Sequence, residues 1–547
     1  MRKTKTWLQY EAGREYKRRI GLYEAAARNE SYYRGEQWEA QTAERALPRP
    51  VFNVVRRITD YLVGAVAGGR LTVTYSDDSA ISVAPEVKST LEMLNAHVSR
   101  LWDSCHMDRL GYRLLLDAAL TGDGVVYCYH DKESRSGIVG GNIRTVRHDA
   151  CELYAADMNR ADIQSQDYII LAGRESVRSL RREARELGLS TDAIGKIRSD
   201  AMMSFDPTGR IPELDDEESA KATVLLKFWR EGGAVWYEKS TAEVVIRRAK
   251  TGLHLYPVAY FNWMPTRAGF HGTAPVSGMI ANQRFINRAY AMVMKHMTDT
   301  AFSKVIYDKS RIPEWTNEVG EAIAAVGGSP ADAVQVVGTG QLQDGYMALI
   351  ENAIEMTKEL SGATDTVLGS AQANNTSAIL ALQEASRTAL HQVSASYIQC
   401  LEDVAAIWAD MLCALWKGKH TVMGKDGADG EVDIELVRGC LLHARVEVGN
   451  LTQYSASGTQ NTLDRLLDGG YITLKQYLEQ LPEGILPLRG RLLGEIEESS
   501  ENEEGGEAIG DGGADADADG IGGADADGSE PDGGADTDGD GADGLGV

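Results

Sequence analysis

The stretch SGMIANQRFINRAYAMVMKHMTDTAF (277–302), followed after a short insert by LQDGYMALIENAIEMTKEL (342–360), decides how the rest of the chain is read. In the first segment Met279, Ile286, Tyr290, Val293, Met297 and Ala301 recur with the 3.6-residue period of an amphipathic helix. At 1.5 Å per residue it spans roughly 39 Å. The second segment carries Tyr346, Leu349, Ala353, Ile354 and Leu360 on one side and stops at Ser361-Gly362, glycine being a common helix C-terminal signal. Two long helices around one insert predict a stalk with a tip.

The polar faces add a second regularity. Arg284, Arg288 and Lys295 are spaced by four and seven residues and share one face of the first helix; Glu351, Glu355 and Glu359 do the same on the second. In an antiparallel pair Arg284 falls near Glu359, Arg288 near Glu355 and Lys295 near Glu351. Two solvated faces fit the same pattern, because an exposed ion pair contributes only about 0–1 kcal/mol.

The insert contains SKVIYDKSRIPEW (303–315), a helical piece expected at about 314–325, and DAVQVVG (332–338), which reads as a small α/β tip. Beyond the second helix, LGSAQANNTSA (368–378) is rich in small and amide residues and reads as a mobile loop. From about 377 to 417 one stripe continues through Ile379, Leu382, Ala389, Val393, Tyr397, Val404, Ile407, Met411 and Leu415, roughly 60 Å of helix if unbroken.

Upstream, residues 10–35 read as helical and lead into YYRGEQW (32–38). Asn53 is a candidate N-cap for a packed surface helix with Val54, Val55, Ile58, Tyr61, Leu62 and Ala65 on one face. LTVTY (71–75) is strand-like and 85–120 helical. Across Gly122 and Gly124 the pattern switches to alternation, which marks a helix entering a β-hairpin, so the GxG is a turn and not a phosphate loop. Residues 174–200 read as a basic helix with interleaved glutamates, hence a solvated face. Strands are expected at 222–229, 234–238 and 242–248. After 424–430, EVDIELV and LLHARVEV read as paired strands, and helices at 458–467 and 473–481 close the folded part.

With 547 residues the chain needs several domains or subdomains. Six cysteines without close spacing argue for free thiols rather than a disulfide framework. Cys413, His420, Cys440 and His443 match no common zinc spacing. No run of 18 uncharged apolar residues occurs, so no membrane span is expected. Residues 495–547 carry 19 acidic side chains and no Lys or Arg, which leaves −6 of the net −25 for residues 1–494. That tail is expected to be disordered; its DADADG (515–520) imitates a calcium loop, but Ala526 stands where the closing carboxylate belongs. No GxxxxGK[ST], HExxH or GxSxG motif is present. Catalytic residues, metal and cofactor are therefore all expected to be none.

Taken in order, YYRGEQW, RPVFNVVRRITDYLVG (49–64), the helix-Gly-strand element at 122–129, YPVAYFNW (256–263), FHGTAPVSGMIANQRFINRAYAM (270–292) and SGATDTVLGSAQANNTSAILALQEAS (361–386) resemble tailed-bacteriophage portal proteins. The resemblance covers residues 30 to about 490 as a collinear set of short motifs. It implies a mixed α+β, mainly helical subunit: wing 1–276, stem helices 277–302 and 342–368, clip 303–341, tunnel loop 369–377, long helix and wing strands 378–454, crown helices 455–494, then the acidic tail. It further implies a ring homo-oligomer, usually a dodecamer, at one capsid vertex of the virion, through which double-stranded DNA is packaged and ejected. The implied partners are the terminase, a head-completion or adaptor protein, and the major capsid or scaffolding protein. The family has no nucleotide site of its own. Terminase docking falls on the clip, with Lys309, Arg311, Glu314 and Trp315.

A channel through which DNA slides must not grip it, since each neutralised phosphate strengthens static binding. The mildly acidic body fits that requirement. DNA contact is expected at the neutral tunnel-loop residues Gln372, Asn374, Asn375 and Thr376, with the stem cations occupied by the stem glutamates within or between subunits. The competing readings are a metal-dependent nucleic-acid enzyme and a helical scaffold of another kind. The non-heptad stripe of 379–415 disfavours a coiled coil.

Overall fold

The computed structural model describes residues 3–38, 47–78, 84–131, 142–200, 220–267, 269–300, 304–316, 322–337, 345–363, 390–424, 429–449, 453–481 and 492. The chain divides into two units, Met1–Ala456 and Ser457–Val547. Helices and antiparallel sheets alternate throughout the first, so the fold class is mixed α+β.

The chain opens with α1 (Lys5–Arg19) and α2 (Leu22–Arg34), separated at Gly21, whose φ of +71° is a left-handed value that glycine adopts without steric cost. Asn53 caps α3 (Val54–Ala67) as expected, its side-chain oxygen accepting from Arg56 N at 3.0 Å. Val55, Ile58, Leu62 and Val63 are buried, with Arg56 and Arg57 on the outer side. After β1 (Arg70–Asp77), the helical region of 85–120 resolves into α4 (Pro85–Ser104) and α5 (Met107–Thr121). His106, with φ of +51°, ends the first of them.

β2 (Asp123–Asp131) and β3 (Asn142–His148) form the expected hairpin. β4 (Leu153–Ala155) and β5 (Tyr168–Ser176) lead to α6 (Val177–Glu186) and α7 (Thr191–Gly195). The basic helix read over 174–200 is thus corrected. Arg174 lies in a strand, because Glu175 and Ser176 still pair with the next strand, and the helix starts only where Ser176 Oγ caps Ser179 N at 3.2 Å. β6 (Lys221–Glu231), β7 (Ala234–Ser240) and β8 (Val245–Lys250) complete an antiparallel sheet of order β4-β5-β6-β7-β8. β9 (Val258–Asn262) pairs with β2, giving a second sheet of order β3-β2-β9.

The two stalk segments are α8 (Pro275–Thr300) and α9 (Gly345–Leu360), packed on each other. Between them β10 (Lys304–Tyr307) pairs antiparallel with β11 (Val334–Val337). Residues 314–316 and 322–326 are irregular, not helical as expected. The long helix is seen as α10 (His391–Leu415), 25 residues or about 37 Å; its expected beginning at 378–389 lies outside the described residues. β12 (Lys419–Met423) pairs with β13 (Asp429–Asp433). The expected pairing of EVDIELV with LLHARVEV does not form: Asp433 accepts from Glu435 N and starts the helix α11 (Ile434–Gly439). β14 (Leu442–Gly449) pairs instead with β1, in register from Arg70–Gly449 to Asp77–Leu442.

α10 is the centre of the main core. Val393, Tyr397, Cys400, Leu401, Val404, Ile407, Trp408, Met411 and Leu412 are buried, packed with β2, β9 and β14. All six cysteines are free. His97 of α4 is 8 % exposed and sits edge-on to Trp416, ring centroids 5.0 Å apart. Burial, with Arg100 adding to it, pushes its imidazole down to about 4. The unfolded chain takes up this proton near pH 6.5 and the folded chain only near 4, so the stability this residue supports is complete above 6.5 and is lost as pH falls toward 4. His97→Phe is expected to flatten that acid limb by roughly 2–3 kcal/mol, read from urea midpoints at neutral and mildly acid pH.

The second unit holds most of α12 (Gln453–Asp468), and all of α13 (Leu474–Gln480), which Thr473 and Gln476 start with a reciprocal capping box. Tyr477 Oη donates to Asp464 at 2.6 Å and ties the two helices together. The acidic tail, including DADADG, lies outside the described residues.

Candidate functional site

The root of the helix pair is where the separated sequence motifs meet. Gln283 on α8 is buried; its Oε1 accepts from Val54 N at 3.0 Å and Val55 N at 3.2 Å, satisfying the first amides of α3. Its Nε2 donates to Phe52 O at 2.8 Å and Asn287 Oδ1 at 2.9 Å. Asn287 donates to Gln37 at 2.6 Å, and Gln37 donates to Tyr32 O and Asn53 Oδ1. Arg284 donates from Nε to Tyr32 Oη at 2.6 Å. YYRGEQW, RPVFNVV and NQRFINR therefore form one amide network that fixes α8 against α2 and α3. Their spacing in sequence, more than 200 residues, hides this from any local reading.

A second joint secures the turn into α8. Gly122 and Gly272 approach so closely that a Cβ on either would lie 2.6 Å from the other's carbonyl oxygen. Beside them Asp123, 1 % exposed, accepts from Asn262 Nδ2 at 2.8 Å, Gly272 N at 2.7 Å and His271 Nδ1 at 2.6 Å. Burial lowers the His271 imidazole, opposed by Asp123. An Asp–His pair is the orienting half of a hydrolytic triad, yet His271 Nε2 meets no hydrogen-bonding partner among the described residues. Among the described residues the joint ties backbone and side chains together and places no nucleophile on His271 Nε2. Nearby, Lys17 is fully buried and donates to the carbonyls of Ala150, Cys151 and Leu153 at 2.5–3.0 Å. Burial lowers its ammonium. The GDG at 122–124 gave only a turn, and nothing local marked Asp123 or Lys17.

Beyond its root α8 leaves the core. Met279, Ile280 and Ile286 are buried, but Phe285, Met292, Met294 and Met297 are exposed, the last by 60 %. α9 likewise exposes Tyr346, Leu349, Met356 and Leu360, the last by 77 %. Lys295 pairs with Asp299 of its own helix at 3.0 Å. Arg288, Glu351, Glu355 and Glu359 are exposed and have no ion-pair partner among the described residues.

At the tip, Arg311 is a structural hub. Its guanidinium binds the carbonyls of Val326, Gly327 and Ser329, while Val326 N returns to Arg311 O at 2.9 Å. These bonds, with Gly327 and Gly328 both left-handed, fix the backbone of 326–329 on Arg311. Trp315 stacks on Tyr307 at 5.4 Å, and Lys309 and Glu314 are exposed. Gln372, Asn374, Asn375 and Thr376 lie outside the described residues.

Among the described residues no group of three or more His, Cys, Asp or Glu side chains could hold a metal, and no helix is long and apolar enough to cross a membrane. His420 stacks on Trp416 and Cys440 donates to Leu436 O, so neither is set as a ligand. No curated protein matches the chain. The family model described as Phage P22-like portal protein matches residues 257–466, a span that begins with β9 and takes in Asn262, His271 and Gly272 of the second joint, both stalk helices, the tip and α10. Over that part of its length the chain is similar to the P22-like phage portal family, a match that supports a tailed-phage portal protein.

Proposed function

We propose that the chain assembles into a ring at one capsid vertex and forms the channel through which DNA is packaged and ejected, in a structural and not a catalytic role. The observation that carries this reading is the unmatched surface of α8 and α9. One helix exposes Arg288 beside methionines and Phe285, the other exposes Glu351, Glu355 and Glu359 beside Tyr346, Leu349 and Met356. Such surfaces complement each other head to tail, the heterologous contact that closes a ring. Exposed apolar patches of this kind mark interaction surfaces. In this reading α8 and α9 are the stem, 303–341 is the clip where the terminase docks through Lys309, Glu314 and Trp315 around the scaffold built by Arg311, and 369–377 is the tunnel loop touching DNA. The regions flanking the stem are the wing, and the helices after 455 the crown. Adaptor and capsid or scaffolding proteins complete the partner set.

Charge reversal tests the contact. Arg288→Glu and Glu355→Arg singly place like charges across the interface and are expected to shift sedimentation from ring to smaller species. The double reversal restores the ring. Rings that tolerate both single changes contradict the assigned contact.

A further inference from the structure

We propose that the five-stranded sheet, on the face that carries α1, binds single-stranded nucleic acid, stacking its bases on a row of aromatic rings and pairing its phosphates with the cations beside them. The row is set by strand register. Tyr168 of β5 pairs with Trp229 of β6, Trp229 with Trp236 of β7, and Trp236 with Lys250 of β8. Directly paired residues share a face and strands lie about 4.8 Å apart, so these four positions cross roughly 14 Å of sheet. Two residues along each strand, Ile170, Lys227, Glu238 and Arg248 form a second row on the same face.

α1 covers the inner part of that face, where Ile170, Ala172 and Leu225 are buried with Trp7 and Tyr10. Beyond it Tyr168, Trp229 and Trp236 stay partly exposed. The two tryptophans are stacked, with ring centroids 6.3 Å apart. Trp229 Nε1 donates to Glu231 at 3.2 Å, whereas the Trp236 indole N–H meets no acceptor among the described residues. Lys227 Nζ sits 4.7 Å from the Tyr168 ring centroid and 5.7 Å from that of Trp229, and the Arg248 guanidinium lies 4.8 Å from the Trp229 centroid.

Cations outnumber carboxylates here. Glu238 is the one carboxylate in the two rows, and it also accepts from Thr6 Oγ1 at 2.6 Å. Lys227 donates to the neutral Gln9 Oε1 at 2.7 Å. Arg248, Lys250 and Lys5 at the start of α1 are exposed and have no ion-pair partner among the described residues. Burial lowers the Lys227 ammonium; Glu238 opposes that shift, and Lys5 and Arg248 add to it. An anion laid along the second row relieves this crowding of positive charge.

The rings select the ligand. A duplex keeps its bases stacked inside and offers its phosphates, which engage the cations and leave the rings unused. Protein interfaces centre on anchors that fill pockets, and these rings lie in a flat row. An unpaired strand uses both features, because its bases stack on Trp, Tyr and the guanidinium plane of Arg while its backbone follows the positive charge.

Fluorescence anisotropy of labelled oligo-dT and, separately, labelled oligo-U with the full-length protein at low salt reads the binding. Binding of at least one of them is expected. Trp236→Ala is expected to weaken it at least about fivefold, the lower end for one base–aromatic stack, with the slope of log K against log salt unchanged. Arg248→Ala combined with Lys250→Ala is expected to flatten that slope by about 0.7 for each phosphate no longer neutralised. Both of these side chains are exposed, so the double variant decides the matter should Trp236→Ala fail to fold by thermal unfolding. Failure of both oligonucleotides to bind the unmodified protein overturns the proposal, as does an unchanged affinity in folded Trp236→Ala or an unchanged slope in the double variant. Competition by duplex DNA or by polyglutamate as effective as that by the unlabelled single strand also overturns it, assigning the face to a duplex backbone or to an acidic protein.

Discussion

Asp123→Ala is expected to lower the stability of the first unit by roughly 3–5 kcal/mol, since each buried donor left unsatisfied costs about 1–3 kcal/mol. The change strips the acceptor from three donors at once: His271 Nδ1, Asn262 Nδ2 and Gly272 N. None can turn to water, since the carboxylate is 1 % exposed and the Gly122–Gly272 contact leaves no room for the backbone to shift. Asp123→Asn recovers only part of the stability, because its amide nitrogen then faces donors. The urea midpoint of each variant gives the measurement, and a loss under about 1 kcal/mol for Asp123→Ala would show that the joint is not what holds α8 to the sheet.

Trp408→Ala ranks beside it, with an expected loss of about 3–5 kcal/mol for a large aromatic removed from a core. Trp408 is completely buried on α10, meets Trp102 edge-on at 6.2 Å, and donates from Nε1 to Thr145 Oγ1 at 2.9 Å. Trp408→Phe keeps most of the volume and removes the hydrogen bond, so a cost of about 1–2 kcal/mol is expected. The difference between the two variants separates packing from the polar interaction.

These two residues also mark what a sequence can reveal. The stripe through Val393, Tyr397, Val404, Ile407 and Met411 is periodic, so the burial of α10 was legible, as were the start of α8 within two residues and the end of α9 at Leu360. Turn chemistry at Gly122 and the cap at Asn53 were legible for the same reason: each depends on neighbours along the chain. Non-local pairing was not. β14 meets β1 across more than 360 residues, and its alternation would serve any partner; the Asp433 cap that removes 434–439 from the strand decided the outcome. The amide network of Gln37, Asn53, Gln283 and Asn287 left no periodic signal, since a buried amide is identified only by the donors and acceptors around it. The site was therefore readable as a set of motifs, and the convergence of those motifs on one helix root came from the fold.

The assembly itself is the central claim, and direct imaging of the purified full-length chain under negative stain tests it without mutation. The expected result is a population of large rings, each with an open centre. A field of monomers or dimers, with no closed particle at any concentration tried, would contradict the account.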